Sequence, residues 1–288
     1  MNDVSVYIDK ISIQGLYGKY DLEWNLNRNV NILVGINGSG KTTLFNIIDY
    51  LFTCNFKKLK QYNIKVARVK FNDDSNNTAL VYSNESDIKF VIKPQKFILY
   101  SKINTFDVPS SARGKDKTYL DDKLEKLLFK KENENSFTFL DYRLTNLANQ
   151  HNDTNSILKY QNKIEVFFNL INTFFIETDK KIEIDERTNS IKLVNHNTQT
   201  EISIKQLSAG EKQLLILLFS VFLQDEQSSI LIMDEPEISM HIRWQQILID
   251  TLIKLNPNVQ LILSTHSPSV FGKGWSGHIS RMEQLYLR

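Results

Sequence analysis

One cysteine, Cys54, among 288 residues excludes an internal disulfide and points to a reducing compartment. Apolar runs are short: the longest, 214–223 and 230–233, fall well below the ~20 residues that cross a bilayer. Residues 1–12 lack the basic, apolar and small-residue blocks of a secretory leader. Charge of neither sign dominates, with 35 Lys and Arg against 33 Asp and Glu, so bulk electrostatics selects neither a nucleic acid nor an anionic membrane as partner. There is no internal repeat and no sustained heptad pattern, which excludes a long coiled-coil arm. These absences predict a cytoplasmic chain without a membrane partner.

What is present is ordinary for a globular protein: 41% hydrophobic and 24% charged residues can build a core. The length suits one compact α/β domain, 1–288. Segments 4–15 and 20–26 read as an N-terminal hairpin punctuated by Gly15 and Gly18. Residues 31–34 read as a buried strand, and 42–52 as a helix with Leu44, Ile47, Ile48 and Leu51 on one face. From 64 to 104, β-rich runs (65–71, 78–82, 87–92, 96–104) predict a small antiparallel sheet. Helical periodicity then runs from about 118 to 175, carried by Leu120, Leu124, Leu127 and Leu128 and later by Ile164, Phe167, Phe168 and Ile171. Segments 181–184 and 190–194 predict a further hairpin before the α/β pattern resumes.

Two motifs carry chemistry. Gly35-Ile36-Asn37-Gly38-Ser39-Gly40-Lys41-Thr42, followed by Thr43, links the strand at 31–34 to the helix and matches the P-loop pattern. Its glycines let successive N–H groups converge on phosphates, and the helix N-terminus adds its positive dipole end. Lys41 then reaches the β- and γ-phosphates, and the Thr42 hydroxyl ligates Mg²⁺. Downstream, Ile230-Leu231-Ile232-Met233-Asp234-Glu235 is an apolar strand ending in two carboxylates, the setting in which a metal-bound phosphate meets the edge of a parallel sheet. Asp234 is expected to hold Mg²⁺ through water and Glu235 to polarise the attacking water.

Leu207-Ser208-Ala209-Gly210-Glu211-Lys212-Gln213, placed ahead of this strand, resembles the signature segment of ABC-type ATPases. Ser208 and Gly210 open an apolar helix, so a hydroxyl, backbone N–H groups and the helix dipole can face an anion; the resemblance makes that anion the γ-phosphate bound by the opposite subunit. Thr265-His266-Ser267-Pro268 after the strand at 260–264 resembles the family's switch, with His266 on the γ-phosphate. Ser239-Met240-His241, followed by Trp244 and Gln245, resembles the non-transporter branch, which includes RecF-like and OLD-like proteins and the ATPases of anti-phage systems such as Septu, PARIS and retron modules. His241 would then lie at the dimer seam or on the surface of a helix start. The resemblance covers about residues 4–53 and 202–275.

This likeness implies an ABC-ATPase head with three lobes: 1–110 carrying the P-loop and β subdomain, 111–180 a helical insert, and 181–288 the signature, Walker B and switch. It implies ATP and Mg²⁺ as ligands and a homodimer closed on two nucleotides. The chain holds neither a TOPRIM-like acidic block nor a His-Asn-His cluster, so a separate nuclease or toxin is the expected effector partner. A RecF-like ATPase binding nucleic acid directly is the alternative, with Lys57, Lys58, Lys60, Lys65, Arg68 and Lys70 either touching phosphates or forming a solvated surface. The family's Q-loop glutamine has no evident counterpart and the position stays open: Thr105 and Asp107 stand where that loop should occur, and Gln61 and Gln95 come too early. Tyr17 and Tyr20 are candidates for stacking on adenine, or packing residues.

Overall fold

The computed structural model describes residues 6–72, 79–83, 91–92, 98–104, 118–129, 138–148, 154–185, 187–188, 190–272 and 274–287. In chain order the first elements are β1 (Ile8–Leu16), β2 (Tyr20–Asn25), β3 (Val30–Val34), α1 (Lys41–Phe52), α2 (Phe56–Leu59), β4 (Val66–Phe71), β5 (Ala79–Ser83), β6 (Val91–Ile92) and β7 (Leu99–Asn104). Next come α3 (Tyr119–Leu128), α4 (Phe139–Ala148), α5 (Thr154–Phe175), β8 (Lys180–Asp185), β9 (Ser190–Asn195) and α6 (Ala209–Phe222). The last are β10 (Ser229–Asp234), α7 (Ile242–Leu255), β11 (Val259–Ser264), α8 (Pro268–Phe271), β12 (Ile279–Arg281) and α9 (Met282–Leu285). The backbone clusters into two units, one of 1–105, 226–237 and 245–288, the other of 106–225 and 238–244.

The first unit holds two five-stranded sheets. One is parallel throughout, in the order β12-β3-β11-β10-β7; the other is antiparallel, in the order β2-β1-β4-β5-β6. Strands β10 and β11 are buried along their whole length, as continuous apolar runs in a parallel sheet require. Strand β4 alternates instead, with Ala67, Val69 and Phe71 inward and Arg68 exposed, so one face of its sheet meets solvent. Between the sheets lies a core in which Trp24 stacks on Phe45 of α1, ring centroids 6.5 Å apart and nearly coplanar in orientation, and donates its indole N–H to Ser280 Oγ at 2.9 Å.

Strand β7 corrects the sequence expectation. It does not join the antiparallel sheet but forms an edge of the parallel one, pairing with β10 from Leu99 opposite Ser229 to Asn104 opposite Asp234. An edge strand has a single hydrogen-bonded neighbour and is only half buried, so Tyr100, Ser101 and Lys102 stay partly exposed. The other part of the expected strand, 96–97, lies outside the described residues, as do Gln95, Thr105 and Asp107.

In the second unit α3, α4, α5 and α6 surround an aromatic core. Phe167 stacks on Phe222 at 3.9 Å, Phe139 meets Phe219 edge to face at 5.5 Å, and Tyr142 meets Phe222 at 5.2 Å. Thr118 and Thr138 open α3 and α4 by capping boxes with Asp121 and Asp141. The expected hairpin is β8–β9. Asn172 of α5 closes its outer edge: the side-chain amide donates to Ile182 O at 3.1 Å and accepts from Ile182 N–H at 2.8 Å.

Two ion pairs are held inside this unit. Lys212 of α6 pairs with Asp121 at 2.9 Å, both nearly inaccessible. Lys180 bonds both oxygens of Glu211, at 2.8 and 2.7 Å. Burial alone would raise both carboxyls. For Asp121 the Thr118 amide and the Lys212 ammonium outweigh it, and for Glu211 the Lys180 ammonium and the Ser208 amide do, so both sit below the ordinary carboxylate range. A depressed folded-state pKa contributes stability above the unfolded values of 3.8 and 4.5, and that contribution is lost as pH falls through the folded values. Asp121→Ala leaves Lys212 buried without its counter-ion, and is expected to cost about 3–5 kcal/mol in urea unfolding at neutral pH. The deficit relative to wild type should shrink when unfolding is repeated near pH 3.

Candidate nucleotide-binding site

Strand β3 delivers the chain to residues 35–40 at the carboxyl end of the parallel sheet, and α1 carries it away. Gly40, the N-cap of α1, has φ +105°, a left-handed conformation that a side chain would strain. No side chain caps this twelve-residue helix and no acidic residue stands in its first turn, so its leading N–H groups are left for an anion. Ser39 Oγ is buried without a hydrogen-bond partner in the same loop. From behind, α9 braces the loop: the Tyr286 hydroxyl donates to Ser39 O at 3.0 Å, and Ile36 N–H donates to Glu283 Oε1 at 3.3 Å.

Lys41 is buried. Its ammonium donates to Gly35 O at 2.9 Å and Ile36 O at 3.3 Å, and lies 2.8 Å from His266 Nε2. The same ring nitrogen is 3.1 Å from Glu235 Oε1. It can accept from Lys41 or donate to Glu235, so the position of one imidazole proton decides which neighbour it serves. Three residues far apart in the chain thus meet at one nitrogen.

Asp234 ends β10 level with Ser264 on β11 and accepts the Ser264 hydroxyl. Glu235 follows at φ +51°, a conformation rare for a residue with a side chain, and its N–H bonds both the carbonyl and the hydroxyl oxygen of Ser264 at 3.1 Å. Lys102 of β7 donates to Asn46 of α1; burial lowers its ammonium's pKa, while Asp49 and Asp234 pull it back up. Thr42 and Thr43 open α1, Thr42 exposed and Thr43 Oγ1 3.4 Å from the Tyr17 hydroxyl. Tyr17 is half exposed at the β1–β2 turn, and Tyr20 packs edge-on against Tyr286 at 5.6 Å. The loop residues Asn37 and Gly38 are exposed.

The Thr42 hydroxyl and the Asp234 carboxylate are hard oxygen donors of the kind Mg²⁺ takes. Among the described residues no group of three or more His, Cys, Asp or Glu could hold a metal by itself. Such a donor set fits an ion whose remaining ligands are phosphate oxygens and water.

The signature residues sit in the second unit. Ser208 caps α6, its Oγ accepting from Glu211 N–H at 3.2 Å and its N–H donating to Glu211 Oε2 at 2.7 Å. Gly210 has a further constraint that the motif does not announce: a Cβ there would lie 2.1 Å from the carbonyl oxygen of Ser239. His241, expected at a dimer seam or a helix surface, has Nδ1 3.3 Å from Glu177 Oε2, and Arg243 pairs with the same carboxylate.

Residues 30–272 match the family described as "AAA domain, putative AbiEii toxin, Type IV TA system". The chain belongs to this AAA-domain family. The AAA-domain chain is 23% identical to the Septu protein PtuA of Bacillus thuringiensis over 91% of its own length and 72% of that protein's. It is 28% identical to the Retron Vc95 probable ATPase of Vibrio cholerae serotype O1 biovar El Tor, over 80% of its own length and 45% of the relative's. In fold it resembles the Smc head solved with the C-winged helix domain of ScpA, at a TM-score of 0.55 and 14% identity over 92% of each chain. The expected resemblance to ABC-like ATPase heads of the non-transporter branch is thereby met.

Sequence reasoning missed Ser264, Lys102 and the bracing residues of α9. Ser264 was within reach, as the last residue of the strand before His266. Of the basic stretch, Lys57, Lys58, Lys60, Lys65 and Arg68 are exposed, Lys58 lies over the Tyr50 ring, and Lys70 stands 4.0 Å from Asp9. No helix among the described residues is long and apolar enough to cross a membrane. For this family member Gly210→Ala must displace the Ser239 backbone, and a loss of about 1–3 kcal/mol in thermal or urea unfolding is expected. Wild-type stability in that variant would show that 238–244 does not lie against α6.

Proposed function

We propose that this chain binds Mg–ATP on the loop 35–43 and hydrolyses it slowly, when two copies close on two nucleotides, to control a separate effector in a bacterial anti-phage system. The observation that carries the reading is the meeting of Lys41, Glu235 and His266 at one imidazole nitrogen beside an uncapped helix N-terminus. A cation for the phosphates, a carboxylate for the attacking water and a ring that can meet the γ-phosphate, gathered at one point, suit phosphoanhydride hydrolysis.

In this reading the phosphates take the amides of Gly38, Ser39, Gly40, Lys41, Thr42 and Thr43, with Gly35 and Asn37 shaping the loop. The Lys41 ammonium turns from the loop carbonyls to the β- and γ-phosphate oxygens. Thr42 and Asp234 would hold Mg²⁺, which when bound neutralises charge on those oxygens. Glu235 orients a water and takes its proton as the water oxygen bonds to the γ-phosphorus and the bond to the β–γ bridging oxygen breaks. His266, released from Lys41, contacts the γ-phosphate and registers its loss. Tyr17, half exposed with its hydroxyl 3.4 Å from Thr43 Oγ1, would be the ring that stacks on adenine.

The signature residues Ser208 and Gly210 complete the site of a second copy, their helix N-terminus meeting the other nucleotide's γ-phosphate. The lone chain is then slow, and dimerisation sets the rate. Similarity to the Septu protein and the retron ATPase supports a defence role. The effector would be a separate nuclease or toxin, and the compartment the cytoplasm.

Glu235→Gln is expected to bind ATP, lower kcat about 10²–10⁴-fold and accumulate as a dimer in size-exclusion chromatography with ATP. Lys41→Ala should weaken nucleotide binding about 10- to 100-fold by calorimetry. Undiminished hydrolysis in the Glu235 variant removes that residue from its role.

Ser208→Arg tests the shared site separately. It should retain ATP binding and lose turnover, and a mixture with Lys41→Ala chains should recover part of the rate, because one composite site is then intact. Full activity of the Ser208 variant would rule the shared arrangement out.

A further inference from the structure

Glu237 has none of the roles assigned above. It follows Pro236 beyond β10 and is 8% exposed. Its Oε1 is met by three donors from consecutive residues: the Thr265 hydroxyl, the His266 N–H at 3.1 Å and the Ser267 N–H at 3.3 Å. Burying a carboxylate is costly unless it is well bonded, and these three bonds all come from the switch loop. Its Oε2 is buried with no hydrogen-bond partner among the described protein groups.

A second tie runs alongside. The Ser267 hydroxyl donates to Gln245 Oε1 at 2.7 Å, and Gln245 Nε2 donates to Glu237 O at 3.4 Å. On the near side Glu235 N–H is fastened to Ser264. The loop after β10 and the loop after β11 are therefore joined on both sides of the contact between Glu235 and His266.

We infer that Glu237 is a positioning residue for hydrolysis: it clasps the switch loop so that His266 Nε2 stays within reach of Glu235 and Lys41, and the two loops move as one body. The inference rests on the proposed hydrolytic reading, because it acts through His266.

The test compares kcat, ATP affinity and hydrogen exchange in the full chain for Glu237→Ala, Glu237→Gln and Thr265→Val, with Glu237→Ala also combined with His266→Ala. Glu237→Ala should leave ATP affinity within about threefold and lower kcat about 10- to 100-fold, as a small displacement of a catalytic group does. Glu237→Gln keeps an acceptor oxygen and should recover most of that rate. In the His266→Ala background the Glu237→Ala change should cost less than about twofold more. Backbone amides of 265–267 should exchange faster in Glu237→Ala without nucleotide. Thr265→Val removes, at nearly constant shape, the hydroxyl that donates to Glu237 and accepts Ser267 N–H at 2.9 Å; it should raise exchange at His266 and lower kcat in the same direction, and it carries the test if Glu237→Ala does not fold.

Wild-type kcat in Glu237→Ala, unchanged exchange at 265–267, or losses that multiply with His266→Ala would each overturn the positioning role. Wild-type turnover in His266→Ala alone has a different meaning: it would sink the hydrolytic reading, and this inference with it.

Discussion

The arrangement depends on parallel pairing of β3, β11, β10 and β7. Parallel strands all end at the same edge, and here the ends are level: Ser264 pairs with Leu33 on one side and with Asp234 on the other, and Asp234 pairs with Asn104. The segments after β3, β10 and β11 leave from that edge. The loop of Lys41, the carboxylates 234–235 and the switch histidine meet because of register, although more than two hundred positions separate Lys41 from His266. A one-residue slip in β11 would turn Ser264 to the opposite face and uncouple Asp234 from it.

Buried charge sets the second demand, and both units meet it in part by bonding ions to neutral groups held by the fold. Lys41 rests on two carbonyls, Glu237 on two amides and a hydroxyl, and Asp121 and Glu211 each combine a lysine with a capping amide. Dipoles held by the fold stabilise an ion without adding a mobile charge. An ion so held is also oriented, which a nucleotide site requires before its ligand arrives.

The motifs were legible because each is local: a glycine loop between a strand and a helix, an apolar strand ending in acid, a serine at a helix start. Pairings set by distant partners were not legible. The run 96–104 follows other β-rich runs and reads as part of their antiparallel sheet, whereas β7 pairs in parallel with the distant β10. Glu237 reads as one more acid after Pro236, and only the return of β11 brings Thr265, His266 and Ser267 to it. Gly210 fits a phosphate-binding motif, yet its close approach to Ser239 gives a packing reason for the same residue that no spacing rule contains.

Asn172 carries a consequence for behaviour in a crowded cell. The open side of a two-stranded ribbon is a template on which another chain can grow a strand, and from there an aggregate. By lending a side-chain amide to both main-chain groups of Ile182, α5 acts as a false neighbour at the middle of that template. Sheet growth from β8 must first dislodge this amide, so one asparagine guards the ribbon against self-templating.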